Sequence, residues 1–361
     1  MTASTPQRAD HDLGHLLRYE NVAWYDGDVV KITDRRVYPY EIRQVVCETV
    51  DDVAQAIADM VTQSAGPYTA AGMGMALAAK GLTGSDDAKM ATLRDAADRL
   101  STARPTTESR MRRVTGGALR AAEQALAEGR DDLDRVLFDV AFNALERRYG
   151  RMAVVASHLV DLFPPKHATI LTQCFAETIV GTALREAKDR GIDVKLYCPE
   201  TRPYFQGARL TASVAADMGV DVTVITDNMP AELLSHGEID LFTTAADAIT
   251  TDGYVVNKVG TLQIAIAAHH FGVPYFVTGI PDTVAVADIE IEQRDARQVL
   301  ETFGRRHTAD GVKGYYPAFD ITPPHFVAGV VTDQGILTPY ALDQYDAGDP
   351  ETDDFYGGLI I

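Results

Sequence analysis

Residues 168–211 read ATILTQCFAETIVGTALREAKDRGIDVKLYCPETRPYFQGARLT, and this stretch decides the fold. The apolar pair Ile170 and Leu171 stops at Gln173 and Cys174. A helical pattern follows through Ile179, Ala183 and Ala187 to a stop at Gly191. A second apolar run, 194–198, ends in Pro199, Glu200, Thr201 and Arg202. The period changes from strand to helix and back to strand, which predicts a β-α-β unit with polar residues at the carboxyl ends of both strands. Ligands of open α/β sheets sit outside those ends, so Cys174 and residues 200–206 are the first place to look for chemistry.

On the carboxyl side the alternation continues. Strands are predicted at 222–226, 241–244, 275–278 and 327–331, with helices at 231–235 and 261–271, the spacing of a doubly wound sheet. On the amino side the pattern differs. Residues 1–18 read as a loose tail, and 29–32 and 44–47 as short strands. Asp51 and Asp52 can cap a helix that carries Val53, Ile57, Met60 and Val61 on one face. Gly66 and Pro67 break that pattern. Further helices are predicted over 70–80, 89–100, 111–128 and 133–149. The expected class is therefore α/β: a mainly helical domain with a small β part over residues 1–150, then a Rossmann-like domain with a mostly parallel sheet over 151–361.

The 361 residues suffice for two domains, and 46% hydrophobic content allows a sizeable core. Lys plus Arg number 33 against 52 Asp plus Glu, a net charge of −19. That balance disfavours nucleic acid, whose phosphates need a basic surface. It leaves room for a small phosphorylated ligand held by one or two local cations. The 3 cysteines, Cys47, Cys174 and Cys198, lack zinc or CxxC spacing, which points to free thiols in a reducing compartment. No apolar run reaches the roughly 18 residues of a membrane span, and the polar start lacks a signal-peptide core. A cytoplasmic protein is expected.

Cys174 ends a predicted strand and opens a helix. Backbone N–H groups and the helix dipole there favour a thiolate; the alternative is a buried structural cysteine. Cys198, before Pro199, reads as structural. Asp247 follows the strand at 241–244, where a desolvated carboxyl can act as acid or base; it could equally be a turn or capping residue. Asn257 and Lys258, with Gly260 and Thr261 at a helix start, would suit an oxyanion or phosphate. Arg104, Arg202, Gln206 and Arg209 could contact a phosphosugar, although a lone Arg is more often a surface ion-pair partner. His269 and His270 lack a third residue at metal spacing. P-loop, GxGxxG, GxSxG and HExxH motifs are absent from the sequence.

The ordered set ILTQC, PETRPYFQGARLTA, ITDNM, AADAI…VVNKVGT, IEIEQRD and YPAFDITPP, together with WYDGDVVKITDRRVYP, GMGMALAA and ARPT in the first half, resembles the S-methyl-5-thioribose-1-phosphate isomerase family. That superfamily includes ribose-1,5-bisphosphate isomerases and regulatory subunits of a translation-initiation exchange factor. The likeness runs from about Ala23 to Pro339, and ETRPxxQGARLT points toward the isomerases. The resemblance implies an aldose-to-ketose conversion of a pentose 1-phosphate, a homodimer, and no cofactor or metal. It places the catalytic pair on Cys174 and Asp247, and ligand contacts on Gln63, Ser64, Ala65, Arg104, Gln206, Asn257 and Lys258. A ribose-1,5-bisphosphate isomerase and a non-catalytic sugar-phosphate-binding regulator are the alternatives it leaves.

The sequence also departs from the family pattern. Gln63 stands where the phosphate-gripping loop has Arg. Phe175 and Glu177 follow the cysteine in place of small neutral groups, Ala248 replaces an arginine, and Tyr316 replaces an asparagine. These changes cluster on expected substrate loops while Cys174 and Asp247 remain, which suggests an altered substrate.

Overall fold

In the computed structural model, residues 7–104 and 108–346 are described. Residues 1–6, 105–107 (which include Pro105 and Thr106 of the ARPT motif) and 347–361 lie outside them. The described residues fall into two compact units that divide between Arg151 and Met152.

The first unit opens with α1 (Tyr19–Val22) and a small antiparallel sheet, β1 (Trp24–Tyr25), β2 (Val30–Thr33) and β3 (Gln44–Cys47). Residues 7–18 are not a loose tail: Leu13, Leu16 and Leu17 are buried, because the hydrophobic gain outweighs the entropy of ordering the segment. Helix α2 (Val50–Ala58) is capped by Thr49, with Asp52 completing a capping box. It ends before Met60, whose φ of 56° is not helical, so Met60 and Val61 do not continue its face. Helix α3 (Gly66–Ala79) begins at the pair expected to break it, since Pro at the first turn lacks only an N–H that would go unused. α3 is buried nearly all round, the signature of a central helix. Packed against it are α2, α4 (Asp86–Thr102) and α5 (Glu108–Ala127), and α6 (Leu133–Val160) follows in the chain. Helix α6 runs 11 residues past Tyr149, because Val155, Ala156, Leu159 and Val160 keep an apolar stripe at helical spacing.

The second unit contains β4 (His167–Leu171), α7 (Thr178–Asp189), β5 (Asp193–Pro199), α8 (Ala212–Asp217), β6 (Asp221–Ile225), α9 (Pro230–Ser235) and β7 (Leu241–Ala245). There follow β8 (Ala248–Ile249), β9 (Val255–Lys258), α10 (Thr261–Phe271), β10 (Tyr275–Thr278), α11 (Arg297–Leu300), β11 (Glu301–Thr302), β12 (Arg305–Arg306), β13 (Phe319–Thr322), β14 (Gly329–Thr332) and β15 (Gly335–Leu337). Its seven-stranded sheet has the order β15-β14-β10-β7-β4-β5-β6. All pairs are parallel except the β14–β15 hairpin.

Strand residues alternate between the two faces. Leu171, Tyr197, Phe242 and Tyr275 pack with Ile264, Ala265 and Ala268 of α10. Ile170, Leu196 and Thr243 face Ile179, Ala183 and Leu184 of α7. The sheet is thus covered on both sides, as expected for the α/β class. From β4 the chain builds one way through β5 and β6, then returns to build the other way through β7, β10 and β14. The order reverses between β4 and β7, so the crevice at that switch point is where a ligand fits. A separate antiparallel sheet, β13-β9-β8, carries the residues that follow β7.

Candidate active site at the carboxyl edge of the sheet

Cys174 follows β4 and Asp247 follows β7, so the two residues leave the two strands that flank the reversal. Cys174 does not open a helix. It stands four residues before α7 in the left-handed region, at φ 63°. Its N–H donates to Thr201 Oγ1 at 3.2 Å, and its carbonyl accepts from the Thr211 hydroxyl. Residues 201–211 therefore grip its backbone from both sides.

That grip is supported from further along the chain. Asp227, from the ITDNM run, accepts the N–H groups of Thr201 and Arg202 at 2.7 Å each. Gln263 of α10 donates to the Asp227 carbonyl at 2.8 Å. Thr201 and Phe205 also hold positive φ, 63° and 58°, and Gly207–Thr211 forms a π-helical turn. Such unusual backbone persists only where its surroundings over-determine it, and it concentrates at functional sites. Gly207 is required by close approach: a Cβ there would lie 1.8 Å from the Pro199 carbonyl oxygen.

The thiol is half-buried, and burial pushes it up to about 11. The Lys258 ammonium pulls against that shift, and the Asp247 carboxylate reinforces it. The helix N-terminus therefore does not supply a thiolate here, because the helix starts too late and desolvation disfavours the charged form; the Lys258 ammonium is the group that favours it. Asp247 is exposed, and its N–H donates to Val256 at 2.8 Å, which ties it to β9. Lys258 is buried with its ammonium 4.7 Å from the Phe319 ring centre. Burial lowers its pKa, while Cys174, Asp247 and Glu292 favour its charge.

Residues 61–339 match the initiation factor 2 subunit family. The chain belongs to that family. Over 342 residues it is 33% identical to the methylthioribose-1-phosphate isomerase of Chloroflexus aurantiacus, covering 90% of this chain and 98% of that protein. Over 333 residues it is 34% identical to the enzyme of the same name from Desulfitobacterium hafniense, with 88% and 96% covered. Among solved structures, the 5-methylthioribose 1-phosphate isomerase of Pyrococcus horikoshii superposes with a TM-score of 0.79 at 27% identity, covering 90% of this chain and 95% of that one. The translation initiation factor eIF-2B subunit delta of A. fulgidus gives 0.78 at 28%, covering 88% and 96%. The family resemblance and the α/β class are borne out, and this family member is an isomerase.

In this family member Gln206, between the two threonines in sequence, is buried, and its Oε1 has no hydrogen-bond partner among the described residues. Asn257 is buried and donates to Thr261 Oγ1 at 3.1 Å. The start of α10, expected to suit an oxyanion, is already taken. Asp320 accepts from Gly260 N–H at 2.6 Å and from Leu262 N–H at 3.1 Å. Arg202 and Arg209 serve the scaffold rather than a ligand. Arg202 donates to the carbonyls of Gln298, Val299 and Glu301, and Arg209 to that of Tyr204.

Gln63, Ser64, Ala65 and Arg104 belong to the first unit. Gln63 is buried, its Nε2 has no partner among the described residues, and its carbonyl accepts from Arg35 at 2.6 Å. Ser64 holds φ 57°, Ala65 precedes α3, and Arg104 follows α4 half-buried. Of the departures from the family pattern, Phe175 is buried, Glu177 is fully buried at φ 50° just before α7, and Ala248 opens β8. An apolar cleft between α7 and the sheet, lined by Leu159, Phe163, Val180 and Leu184, offers only threonine hydroxyls and no acid or base.

Reading the sequence missed two contributors. Asp320 lies in the quoted YPAFDITPP run, yet nothing in its spacing reveals that it caps a helix 60 residues earlier. Arg294, in IEIEQRD, sits near enough to Cys174 and Lys258 for its charge to act on both.

Proposed function

We propose that this protein is an aldose-ketose isomerase acting on a pentose 1-phosphate, either 5-methylthioribose 1-phosphate or a related 5-substituted or 5-deoxy pentose 1-phosphate. What carries the reading is the placement of Cys174 and Asp247 on the two strands that flank the sheet's reversal, with Lys258 electrostatically coupled to both. The curated relatives' name supports the same class.

A sugar phosphorylated on its anomeric oxygen cannot open freely. In its protonated form Asp247 gives its proton to the ring oxygen as the bond from C1 to that oxygen breaks, leaving a hydroxyl at C4. Cys174, as thiolate stabilised by the Lys258 ammonium, then takes the C2 proton. The electron pair of that C–H bond forms the C1–C2 double bond of an enol. Returning the proton to C1, with loss of the C2 hydroxyl proton, yields the ribulose 1-phosphate. The competing route moves C2 hydrogen to C1 as hydride, with the thiol shaping the site. The raised thiol pKa is compatible with that route too, since a neutral thiol serves it without ionising. Gln206, Asn257 and Lys258, with Gln63, Ser64, Ala65 and Arg104, are the proposed substrate contacts.

A second reading, a non-catalytic regulator, has support from the likeness to the eIF-2B subunit. Proton NMR of the protein with 5-methylthioribose 1-phosphate separates the two. Ketose formation that is lost in both Cys174→Ala and Asp247→Asn supports the enzyme, and no turnover of any pentose 1-phosphate ends it. Conversion in D₂O that leaves deuterium at C1 favours proton transfer. The resemblance also implies a homodimer, which light scattering of the purified protein tests.

A further inference from the structure

Arg294 lies in a segment drawn against the strand-like run before β13. Its N–H donates to the Tyr316 carbonyl at 2.9 Å, Gln293 bridges to Pro317, and Ala318 N–H donates to Glu292. The Arg294 side chain is more than nine-tenths buried. Glu292 occupies one edge of it, accepting from Nε at 2.9 Å and Nη2 at 3.4 Å. The remaining nitrogen, Nη1, is buried and hydrogen-bonds to nothing among the described residues.

Three further features surround that nitrogen. Arg294 and Lys258 pack against the same Phe319 ring, at 5.6 and 4.7 Å from its centre. Lys258 Nζ makes no hydrogen bond or ion pair among the described residues. Tyr316, itself buried, neighbours Arg294 closely enough for its phenol to feel the charge, but its hydroxyl, like Nη1, makes no well-formed hydrogen bond. A buried polar group without a partner costs free energy, and an unneutralised buried cation costs more. Glu292 balances one of the two cations, and exposed Asp247 is the other carboxylate whose charge acts on Lys258. Two desolvated cations and a phenol beside the thiol therefore describe a receptor for an anion. Fork-shaped guanidinium donors favour phosphate in particular.

We propose that Arg294 Nη1, the Tyr316 hydroxyl and Lys258 Nζ form a seat for the phosphate of the sugar phosphate, with Arg294 as its principal fork-shaped donor. Tyr316, which departs from the family pattern, is then a specificity-determining residue. The inference rests on the sugar-phosphate reading above, and it can be tested without turnover.

The test is calorimetric titration of the full-length protein with inorganic phosphate. Arg294→Gln should weaken binding at least tenfold, Tyr316→Phe about threefold, and Arg294→Lys by an intermediate amount. Circular dichroism and thermal melts verify the fold. Phosphate should also slow alkylation of Cys174 in the wild type, and less so in Tyr316→Phe; this arm decides the matter if Arg294→Gln does not fold. Wild-type phosphate affinity in Arg294→Gln, or equal protection of Cys174 in Tyr316→Phe, overturns the seat. Arg294-dependent phosphate binding without turnover of any pentose 1-phosphate would instead sink the isomerase reading and leave the seat standing. Turnover with KM unchanged in Arg294→Gln would do the reverse.

Discussion

The Cys174 N–H donates to the Thr201 hydroxyl at 3.2 Å, and both residues hold φ 63°. Each left-handed residue with a side chain costs on the order of 1 kcal/mol. Here the cost is offset by Asp227, which fixes Thr201 and Arg202 by two backbone hydrogen bonds. The ETRPYFQGARLT motif thus acts less through its arginines than through two threonines that aim a cysteine 27 and 37 residues earlier.

Thr201→Val removes the acceptor while keeping the shape. One hydrogen bond is worth about 1 kcal/mol net, so kcat should fall by roughly fivefold with the melting temperature little changed. Thr201→Ser should stay near wild type. Equal turnover in Thr201→Val would show that packing alone holds Cys174.

The pH dependence of Cys174 alkylation follows from its surroundings. With the thiol near 11, iodoacetamide should react slowly at neutral pH and accelerate well above the ordinary thiol range. Lys258→Met should move the midpoint up and Asp247→Asn should move it down, since the first group favours the thiolate and the second opposes it. The raised value also means that Cys174 adds stability below the ordinary thiol pKa and loses it as pH rises through about 11. A midpoint near neutrality would place a helix-activated thiolate here after all.

Asp320 caps α10 from within the protein, and burial raises its pKa to about 6 despite the N–H groups of Gly260 and Leu262. A raised carboxyl contributes stability fully below its unfolded pKa, and that contribution disappears as pH climbs through about 6. Asp320→Asn should therefore flatten the thermal stability profile between about pH 4 and 7. Asp320→Ala, which leaves both N–H groups without their acceptor, should destabilise by ~1–2 kcal/mol. Identical melting profiles for wild type and Asp320→Asn would remove the charge from this account.

Gly207→Ala places a methyl group where the Pro199 carbonyl oxygen already lies. Neither partner is a flexible side chain, so the turn must move. Denaturant unfolding should show a loss of at least ~2 kcal/mol, with Cys174 alkylation altered because residues 201–211 position it. A fully stable, normally reactive variant would show that the turn is more adaptable than its geometry indicates.

Much of the second unit was legible in local pattern. The strand-helix-strand period of residues 168–198, the polar strand ends and the late strands all found their counterparts, because buried parallel strands and amphipathic helices write short periods into sequence. Boundaries were less legible. Pro67 reads as a breaker but begins α3, and α6 runs on to Val160 past its expected end at Tyr149. Segments that borrow their partners from afar, such as β9 and β13, carry little signal of their own.

By itself the sequence determined the α/β class, the family, and a thiol and a carboxyl each just past a strand, since these depend on residue types and spacings within short segments of chain. Tertiary structure alone decided which sheet edges meet at the reversal, that the Cys174 thiol is raised rather than lowered, and that Asp320 fills the α10 N-terminus. It alone also set Arg294 beside Lys258 and Tyr316. Electrostatics and desolvation depend on which groups converge in space, and convergence across 60 or more residues leaves no periodic mark on a chain.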